Sequence, residues 1–374
     1  MRIAKIEPFI LHVPLTEGIA DSTNAIDCWG FAGLIVHADN GQKGYGFTGT
    51  HAFLPGDRLI ASYIGSIYGP LLQDEVLESR SCIARIWTKL HATPPLQWIG
   101  RAGASHMALA AVDIALWDLL AKSQGVPLWK MLFDQAEPPG LEAYNTNAGW
   151  LNNPVEKVVA GCLRSLDEGF KGVKIKVGSK NPEDDLGRIE AVRKAIGPHC
   201  RLMIDGNGKW DLATAKKLAP KVDDYDLFWF EEPLYFDDLN SHIDLAKYMR
   251  TPIALGEQLY SKHHFDAFMR ADAVKYVQPD ALRLAGISEW LTVADEAHRV
   301  GLPVVPHVGD MMQVHRHLSF AHPSSALLEY IPWTQHCFEE PAIVRDGEFL
   351  LPEAPGAGTT LKAGVLADFG KALA

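Results

Sequence analysis

The sequence predicts an α/β protein, a modified (β/α)8 barrel of the TIM type with an α+β capping domain. From residue 141 onward, short apolar segments recur at intervals of mostly 22 to 31 residues, and each is followed by a polar loop and a helical pattern. The first 130 residues differ, because they combine three strand patterns with one long apolar helix. A chain of 374 residues has room for both units.

The capping domain is predicted from three strands and a set of helices. The strand patterns cover 2–13, 31–38 and 44–49, with a polar segment at 18–30 and a turn at 39–41. Residues 57–92 carry helical spacing. A further helix is predicted at 105–122, because Ile114 and Trp117 share one apolar stripe and Gly125 ends the pattern.

Eight strands are predicted for the barrel. They cover 142–145, 173–177, 202–204, 227–230, 253–255, 274–277, 303–305 and 326–328. A doubly wound sheet is disfavoured, because residues 143–147 lack the glycine-rich phosphate turn that commonly follows its first strand. The tail carries a hairpin signal at Asp346-Gly347 and is predicted to return to the first domain. The predicted division is a capping domain at 1–135, a barrel at 136–335 and a tail at 336–374.

Composition and charge argue against several classes of protein. The net charge is 35 − 46 = −11 and no basic cluster occurs, so nucleic acid is an unexpected partner. The five cysteines are scattered and form no Cys-x-x-Cys motif, which favours a reducing cytoplasm over a disulfide framework. The amino terminus lacks the apolar core of a signal peptide, and no later stretch is expected to reach membrane-spanning length. We therefore expect a soluble cytoplasmic protein without a membrane partner.

Two lysines mark the second barrel strand. In the stretch Gly172-Val173-Lys174-Ile175-Lys176, lysines alternate with apolar residues, so both ammonium groups leave the same face of the strand. At this separation, the charge of Lys174 is expected to lower the pKa of Lys176. A lysine with a lowered pKa is a usable base near neutral pH.

Acidic residues close the next three strands. Asp205, Glu231 and Glu257 stand at spacings of 26 and 26 residues, which match the barrel repeat. Carboxylates that converge repel one another and therefore need a cation. Ligation by oxygen alone favours a hard ion with open positions, so Mg²⁺ is predicted, with Mn²⁺ as the alternative. The strand register alone favours Glu231 over Glu232.

An acid–base pair is predicted on the far wall of the barrel. His307 closes the seventh strand and should stand nearly opposite Lys176. Asp280, at the end of the sixth strand, can accept the ring proton of His307 and fix its tautomer. Glu329 closes the eighth strand, and a protonated Glu329 could donate a hydrogen bond to an enolate.

This set of residues resembles the enolase superfamily and, within it, the mandelate racemase subgroup. The Lys-x-Lys motif falls on Lys174 and Lys176, the metal triad on Asp205, Glu231 and Glu257, the His–Asp dyad on His307 and Asp280, and the electrophilic Glu on Glu329. The resemblance covers nearly the whole chain and implies a magnesium-dependent enzyme that forms a homo-oligomer. Relatives that lactonise muconate or epimerise dipeptides have a catalytic lysine at the position of Asp280, so their chemistry is disfavoured.

Two reactions fit a site with both a lysine and a histidine base. After the proton beside a chelated carboxylate is removed, return of a proton to the opposite face would racemise or epimerise a 2-hydroxy acid, whereas loss of the 3-hydroxyl would dehydrate it. The candidate lining residues are polar and suit a sugar acid; they are Asn24, His51, Asn145, Asn147, Asn207 and His336. Asn207 is the predicted substrate-binding residue.

The resemblance to acid-sugar dehydratases favours the second reaction. It implies a lyase that converts a small carboxylate substrate, an aldonate or related sugar acid, to a 2-keto-3-deoxy acid. Racemisation or epimerisation is the alternative. A non-catalytic metal-binding barrel is a remote third, because a regulatory barrel has no need of a carboxylate triad, two lysines and a dyad together.

Overall fold

The computed structural model describes residues 1–132, 138–309 and 312–373, and it contains two sheets. The first is a four-stranded sheet in the order β13-β1-β2-β3, and the second is built around parallel barrel strands. The predicted boundary between residues 135 and 136 lies outside the described residues. The parallel sheet with an added α+β layer is the predicted fold class.

A long antiparallel hairpin dominates the capping sheet. Its strands are β1 (Ile3–Ala20), β2 (Ala25–Ala38) and β3 (Lys43–His51). The prediction of a polar connection at 18–30 was wrong, because strand pairing continues to Ile19 opposite Ile26 and buries both side chains. The connection is a tight turn in which Asp21 Oδ1 accepts hydrogen bonds from the backbone N–H groups of Thr23 and Asn24 at 2.6 and 2.7 Å.

The helices of the capping domain follow β3. They are α1 (Pro55–Ser62), a π-helical turn (Tyr63–Tyr68), α2 (Gly69–Leu72), α3 (Arg80–His91), α4 (Pro94–Ile99), α5 (Ala104–Ser123) and α6 (Leu128–Leu132). Helix α5 lies against the sheet at very close range, since a Cβ atom added to Gly46 would stand 2.0 Å from the carbonyl oxygen of Ala111. Only glycine fits there.

Helix α5 corrects one expectation about hydropathy. Its 20 residues have a mean hydropathy of 1.4 over their most apolar window, so by length and composition this helix could cross a membrane. In the structure, 94% of that window is buried inside the protein. A helix that is apolar all round and packed on every side is a core helix.

The barrel strands form a parallel sheet that begins at residue 141. They are β4 (Leu141–Asn145), β5 (Gly172–Lys176), β6 (Arg201–Asp205), β7 (Trp229–Glu231), β8 (Ile253–Leu255), β9 (Tyr276–Val277) and β10 (Leu327–Tyr330). Strand β10 pairs with β4, so the first and last barrel strands are neighbours. In register, Lys176 faces Asp205 and Asp205 faces Glu231, which places these three side chains at one level.

The predicted seventh strand at 303–305 is reduced to one bridge. Val304 pairs with Val277, and Val304 N–H donates to the carbonyl of Ser324 at 3.1 Å. Proline has no backbone N–H, so Pro303 and Pro306 cannot extend the ladder on either side.

Helices alternate with the barrel strands and surround them. They are α7 (Val155–Asp167), α8 (Pro182–Ile196), α9 (Leu212–Val222), α10 (Leu239–Tyr248), α11 (Lys262–Arg270), α12 (Ile287–Arg299) and α13 (Met312–Ala321), with a 3₁₀ turn (Asp223–Tyr225) after α9. A buried apolar layer fills the barrel interior beneath the site and comprises Tyr144, Met203, Trp229, Ala254, Val305 and Leu327. This layer supports the strand-end side chains from below.

The tail divides between the two units. A 3₁₀ turn (Gln335–Cys337) leads to β11 (Val344–Arg345) and β12 (Glu348–Phe349), and α14 (Val365–Phe369) leads to β13 (Gly370–Lys371). The hairpin at Asp346-Gly347 forms, and β12 pairs with β4 of the barrel, so this part of the tail stays with the barrel. The later part returns to the capping domain: β13 pairs with β1 opposite Ile10 and Leu11, and Thr359 Oγ1 donates to the carbonyl of Tyr45 at 2.7 Å.

Candidate active site

A cavity of about 500 Å³ lies between the strand ends and the capping domain. Six of its lining residues come from the ends of barrel strands: Lys176, Asn207, Glu232, Glu257, His307 and Glu329. Of the predicted lining residues, Asn24, His51 and Asn207 line this cavity. Asn145 and Asn147 instead line a neighbouring cavity, and His336 is absent from the described linings of both.

Each lysine of the Lys-x-Lys motif is paired with carboxylates. Lys176 hydrogen-bonds Asp205, and Lys174 Nζ lies 2.6 Å from Glu231 Oε1 and 2.9 Å from Glu329 Oε1. Burial disfavours the ammonium of Lys176, but the carboxylates of Asp205, Glu257 and Asp21 together outweigh burial and raise the pKa of Lys176. The charge of Lys174 does lower the pKa of Lys176, as expected, but the nearby carboxylates outweigh it, so the expected net lowering was wrong.

Glu231 points into a polar layer beneath the cavity. Its Oε2 accepts hydrogen bonds from Gln278 Nε2 at 2.7 Å and from Trp229 Nε1 at 3.2 Å. Burial raises the pKa of Glu231 to about 7 against the lowering effect of Lys174. Sequence reasoning missed Gln278, although it directly follows the sixth barrel strand and precedes Asp280 by two residues.

Glu232 lines the cavity, whereas Glu231 lies below it. The side chain of Glu232 is buried, and its Oε1 has no hydrogen-bond partner among the described residues. Burial and then the charges of Glu257, Asp205 and Glu231 raise the pKa of Glu232 well above its ordinary value. Four carboxylates therefore lie within electrostatic reach of one another.

This all-oxygen donor set fits a hard divalent cation such as Mg²⁺. In the described part of the chain, no group of three or more His, Cys, Asp or Glu side chains stands at metal-ligand geometry. Lys176, Lys174 and His307 each hold one of the predicted ligands instead, which are Asp205, Glu231 and Glu257 respectively. Ligation by these three acids stays a prediction.

His307 is held between two carboxylates. Its Nδ1 lies 2.8 Å from Asp280 Oδ2, and its Nε2 lies 2.7 Å from Glu257 Oε2. Burial disfavours the imidazolium, but Glu257 and Asp280 outweigh burial and raise the pKa of His307 to about 10. Lys176 and His307 line the same cavity, as predicted from their places on the second and seventh strand positions.

Glu329 is ionised more readily than the sequence led us to expect. Thr146 Oγ1 donates a hydrogen bond to Glu329 Oε1 at 2.6 Å, beside the contact from Lys174. Burial raises the pKa of Glu329, but the charges of Lys174 and His307 outweigh it and lower the pKa below its ordinary value. The expected neutral carboxylic acid is thus disfavoured by its partners.

Sequence reasoning missed a guanidinium in the cavity wall. Arg283 Nη1 donates to the carbonyl of Glu257 at 3.1 Å and lies 3.9 Å from Glu257 Oε1, and Nη2 donates to His51 Nε2. Arg283 follows Asp280 by three residues, so its place in a loop beyond a strand end was the available signal. It connects the capping domain to the strand ends.

A capping sheet over a parallel barrel, with acids, lysines and a His–Asp pair around one cavity at the strand ends, defines a barrel enzyme. Known families agree with this class. A family described as "Enolase C-terminal domain-like" matches residues 157–365, and one described as "Mandelate racemase / muconate lactonizing enzyme, N-terminal domain" matches residues 22–132. The chain therefore belongs to the enolase superfamily, in its mandelate racemase / muconate lactonizing enzyme family.

Individual relatives include two curated dehydratases. The chain is 36% identical over 330 residues to L-talarate/galactarate dehydratase of Salmonella typhimurium, covering 87% of this chain and 79% of that protein. It is 28% identical over 373 residues to arabinonate dehydratase of Saccharolobus solfataricus, covering 94% and 96%. The crystal structure of the Salmonella typhimurium LT2 enzyme, liganded with Mg and L-lyxarohydroxamate, matches with a TM-score of 0.89 at 32% identity, over 99% of this chain and 93% of that chain.

Proposed function

We propose that the protein is a magnesium-dependent lyase that removes the proton α to a substrate carboxylate and then eliminates water from a sugar acid. The product is a 2-keto-3-deoxy acid. The observation that carries this proposal is that Lys176 and His307 line one cavity together with the carboxylates of Glu232 and Glu257. The dehydratases among the relatives support the same reaction.

Asp205, Glu231 and Glu257 are the residues that would hold the metal ion. When bound, Mg²⁺ supplies a Lewis acid that fixes the substrate carboxylate and neutralises charge as the adjacent carbon loses its proton. Asp205 and Glu231 face each other in register on neighbouring strands, and Glu257 follows the end of the next strand. Asn207 lines the same cavity and is proposed to bind the substrate.

Lys176 is proposed as the base for one configuration at C2. This role requires the Lys176 amine to be free of its hydrogen bond to Asp205. Binding of the metal ion by Asp205 would break that hydrogen bond. Lys174 lies between Glu231 and Glu329, and it is proposed to tune the pKa of Lys176 and to contact the substrate carboxylate.

His307 is proposed as the base for the opposite configuration at C2 or as the acid that assists departure of the 3-hydroxyl. Asp280 accepts at Nδ1 and Glu257 accepts at Nε2, so both ring nitrogens are arranged as donors. A donor on the wall opposite the base is what β-elimination requires, because the leaving oxygen must receive a proton. Racemisation would use the same donor to return a proton to C2, so it is the dehydratases among the relatives that favour dehydration.

The test combines metal binding with product detection. Titration calorimetry with Mg²⁺ should show saturable binding, and a screen of sugar acids for 2-keto product should identify at least one that is dehydrated. Epimerised product without 2-keto acid would support the racemase alternative. Magnesium binding without exchange of any α-hydrogen would support a non-catalytic barrel.

A further inference from the structure

A pair of histidines lies where the capping domain meets the barrel, apart from the strand-end residues. His91 is the last residue of α3, and His106 lies in the first turn of α5. Their ring centroids are 5.3 Å apart, and the ring planes make an angle of 49°. His106 is buried and His91 is half-buried. The chemistry proposed for the strand ends uses neither ring.

The barrel fixes the orientation of both rings. His106 Nδ1 donates a hydrogen bond at 2.5 Å to the carbonyl of Tyr260, which lies between β8 and α11. The ring of His91 stacks on Trp87 with centroids 4.7 Å apart and an interplanar angle of 12°. Trp87 is fixed in turn, because its Nε1 donates to the carbonyl of Ala285 at 2.9 Å. Contacts of this kind orient histidine ligands at metal sites.

The hydrogen bond to Tyr260 leaves a lone pair on the other ring nitrogen of His106. A carbonyl oxygen only accepts, so Nδ1 carries the proton and Nε2 is an acceptor. Nε2 is buried and has no hydrogen-bond partner among the described residues. Burial lowers the pKa of His106 to about 4, so the ring is neutral at pH 7. A neutral imidazole with its N–H bonded to a backbone carbonyl is the form of histidine that binds metal ions.

The separation of the two rings matches that of two ligands on one tetrahedral metal ion. With a metal–nitrogen distance of about 2.0 Å, each ring centroid lies about 3.2 Å from the metal, so two ligand rings lie about 5.2 Å apart. The observed separation is 5.3 Å. Another pair, His298 and His322, differs: its rings are 6.0 Å apart at 88°, and Ser324 and Asp295 contact the two nitrogens of His322.

Two more histidines stand near the pair. His263 and His264 lie in the first turn of α11 and are exposed. The charge of His263 contributes to the lowered pKa of His91, and the charge of His264 contributes to that of His106, so both are within electrostatic reach. Among the residues that the structure describes, no third side chain completes a metal-ligand group. Rotation of one exposed histidine side chain, or water, would complete the coordination.

We propose that His91 and His106 form a second metal site, for a divalent cation that prefers imidazole nitrogen, such as Zn²⁺. Mg²⁺ prefers oxygen ligands, so this site and the strand-end acids select different ions. The two ligands belong to the capping domain, whereas Tyr260 and Ala285, which orient them, belong to the barrel. A bound ion therefore stabilises the contact between the two units. The site does not depend on which reaction the strand ends catalyse.

Anomalous diffraction at the zinc absorption edge locates the ion. Crystals of the full chain are soaked in Zn²⁺ with Mg²⁺ in excess, so that Mg²⁺ competes for the strand-end acids. We expect a peak about 2 Å from His106 Nε2 and bonded to His91 as well. Peaks confined to the strand-end acids, or no peak, would overturn the proposal.

Substitutions provide a second test in solution. Titration calorimetry with Zn²⁺, again with Mg²⁺ in excess, should show binding that His106→Gln and His91→Gln each weaken at least about 10-fold. The control His298→Gln changes an exposed histidine of the other pair and should leave that binding unchanged. Because His106 is buried, the half-buried His91 provides the variant that is less sensitive to packing. Zn²⁺ should raise the Tm of the parent protein and not that of His91→Gln. Equal Zn²⁺ affinity in the parent protein and His91→Gln would contradict the proposal.

Discussion

His307 Nδ1 lies 2.8 Å from Asp280 Oδ2, and this contact fixes the orientation of the ring at the wall of the cavity opposite Lys176. The two residues stand 27 positions apart in the chain, on consecutive barrel segments. Parallel barrel strands bring their carboxyl ends to one rim, which is why residues so distant in sequence can act as a pair.

Replacement of His307 by Asn should abolish turnover while metal binding survives. A positioned acid or base contributes about 10²- to 10⁴-fold to the rate, so kcat should fall by at least about 100-fold. Mg²⁺ affinity, measured by titration calorimetry, should stay within about threefold, a range of 0.7 kcal/mol. Unaltered turnover would remove His307 from the mechanism.

His315 is expected to position Asp280. The N–H of Ala281 donates to His315 Nε2 at 3.0 Å, and the N–H of Leu282 donates to Asp280 Oδ1 at 2.8 Å, so the buried ring of His315 holds the turn that carries the acid. His315→Leu should slow α-hydrogen exchange about 10-fold for the substrate configuration served by His307, the effect of one lost hydrogen bond of about 1.4 kcal/mol.

The matched variant His315→Gln retains an acceptor and should preserve that exchange. Exchange through Lys176 should be unchanged in both variants when measured with the other C2 epimer. An equal loss of exchange for both epimers would indicate a general structural defect in place of a positioning role.

The register predicts Glu231, and not Glu232, as the metal ligand. Glu231 stands opposite Asp205 in the strand ladder, whereas Glu232 follows the strand end with a positive φ of 42°. Glu231→Gln should weaken Mg²⁺ binding at least about 10-fold, comparable to the loss of a metal-supporting contact, and Glu232→Gln should weaken it less. Titration calorimetry with Mg²⁺ on both variants measures the two losses of affinity. A larger loss in Glu232→Gln than in Glu231→Gln would show that Glu232 is the metal ligand.

Asp113 gives a prediction about stability and pH. Its Oδ2 accepts from Ser288 N–H at 2.9 Å and its Oδ1 accepts from the Ser288 hydroxyl at 2.7 Å, so a capping-domain residue caps helix α12 of the barrel. Burial raises the pKa of Asp113 from 3.8 to about 7. Stability from this group is therefore full below pH 3.8 and is lost as the pH rises to 7, by about 4 kcal/mol in all.

Asp113→Asn removes this titration while keeping an acceptor and a donor for Ser288. The difference in Tm between the variant and the parent protein should therefore grow in favour of the variant from pH 5 to pH 8. Thermal unfolding at several pH values measures it. A difference that stays constant would show that Asp113 is already ionised in the folded protein at pH 5.

The strand pattern could be predicted because period and spacing are local properties. The placement of Lys176, Asp205 and Glu231 at one level follows from the carboxyl ends of parallel strands, and the structure has them in register. The prediction that residues 18–30 form a polar connection was wrong, because a few polar residues at the turn lie between two paired strand segments in which Ile19 stands opposite Ile26. Prolines at 303 and 306 shortened the seventh strand in a way that apolar content alone does not show.

Electrostatics could not be predicted from single strands. The pKa of Lys176 is raised by carboxylates that together outweigh burial and the charge of Lys174. The pKa of Glu329 is lowered because Lys174 and His307, from other strands, outweigh its burial. Arg283 was missed for the same reason, because its place in the site depends on contacts with Glu257 and His51 that form only in the folded chain. The lining residues of the cavity likewise depend on loop positions.

Exchange of the substrate α-hydrogen with solvent deuterium, in the Mg²⁺-loaded protein and its Lys176→Ala variant, tests the proposed chemistry most directly. The substrates are a pair of sugar acids that differ in configuration only at C2, and mass spectrometry of the recovered acid measures the exchange. We predict that the variant loses exchange for one epimer and retains whatever exchange the parent protein shows with the other. Exchange at the parent rate with both epimers would contradict the assignment of Lys176 as a base.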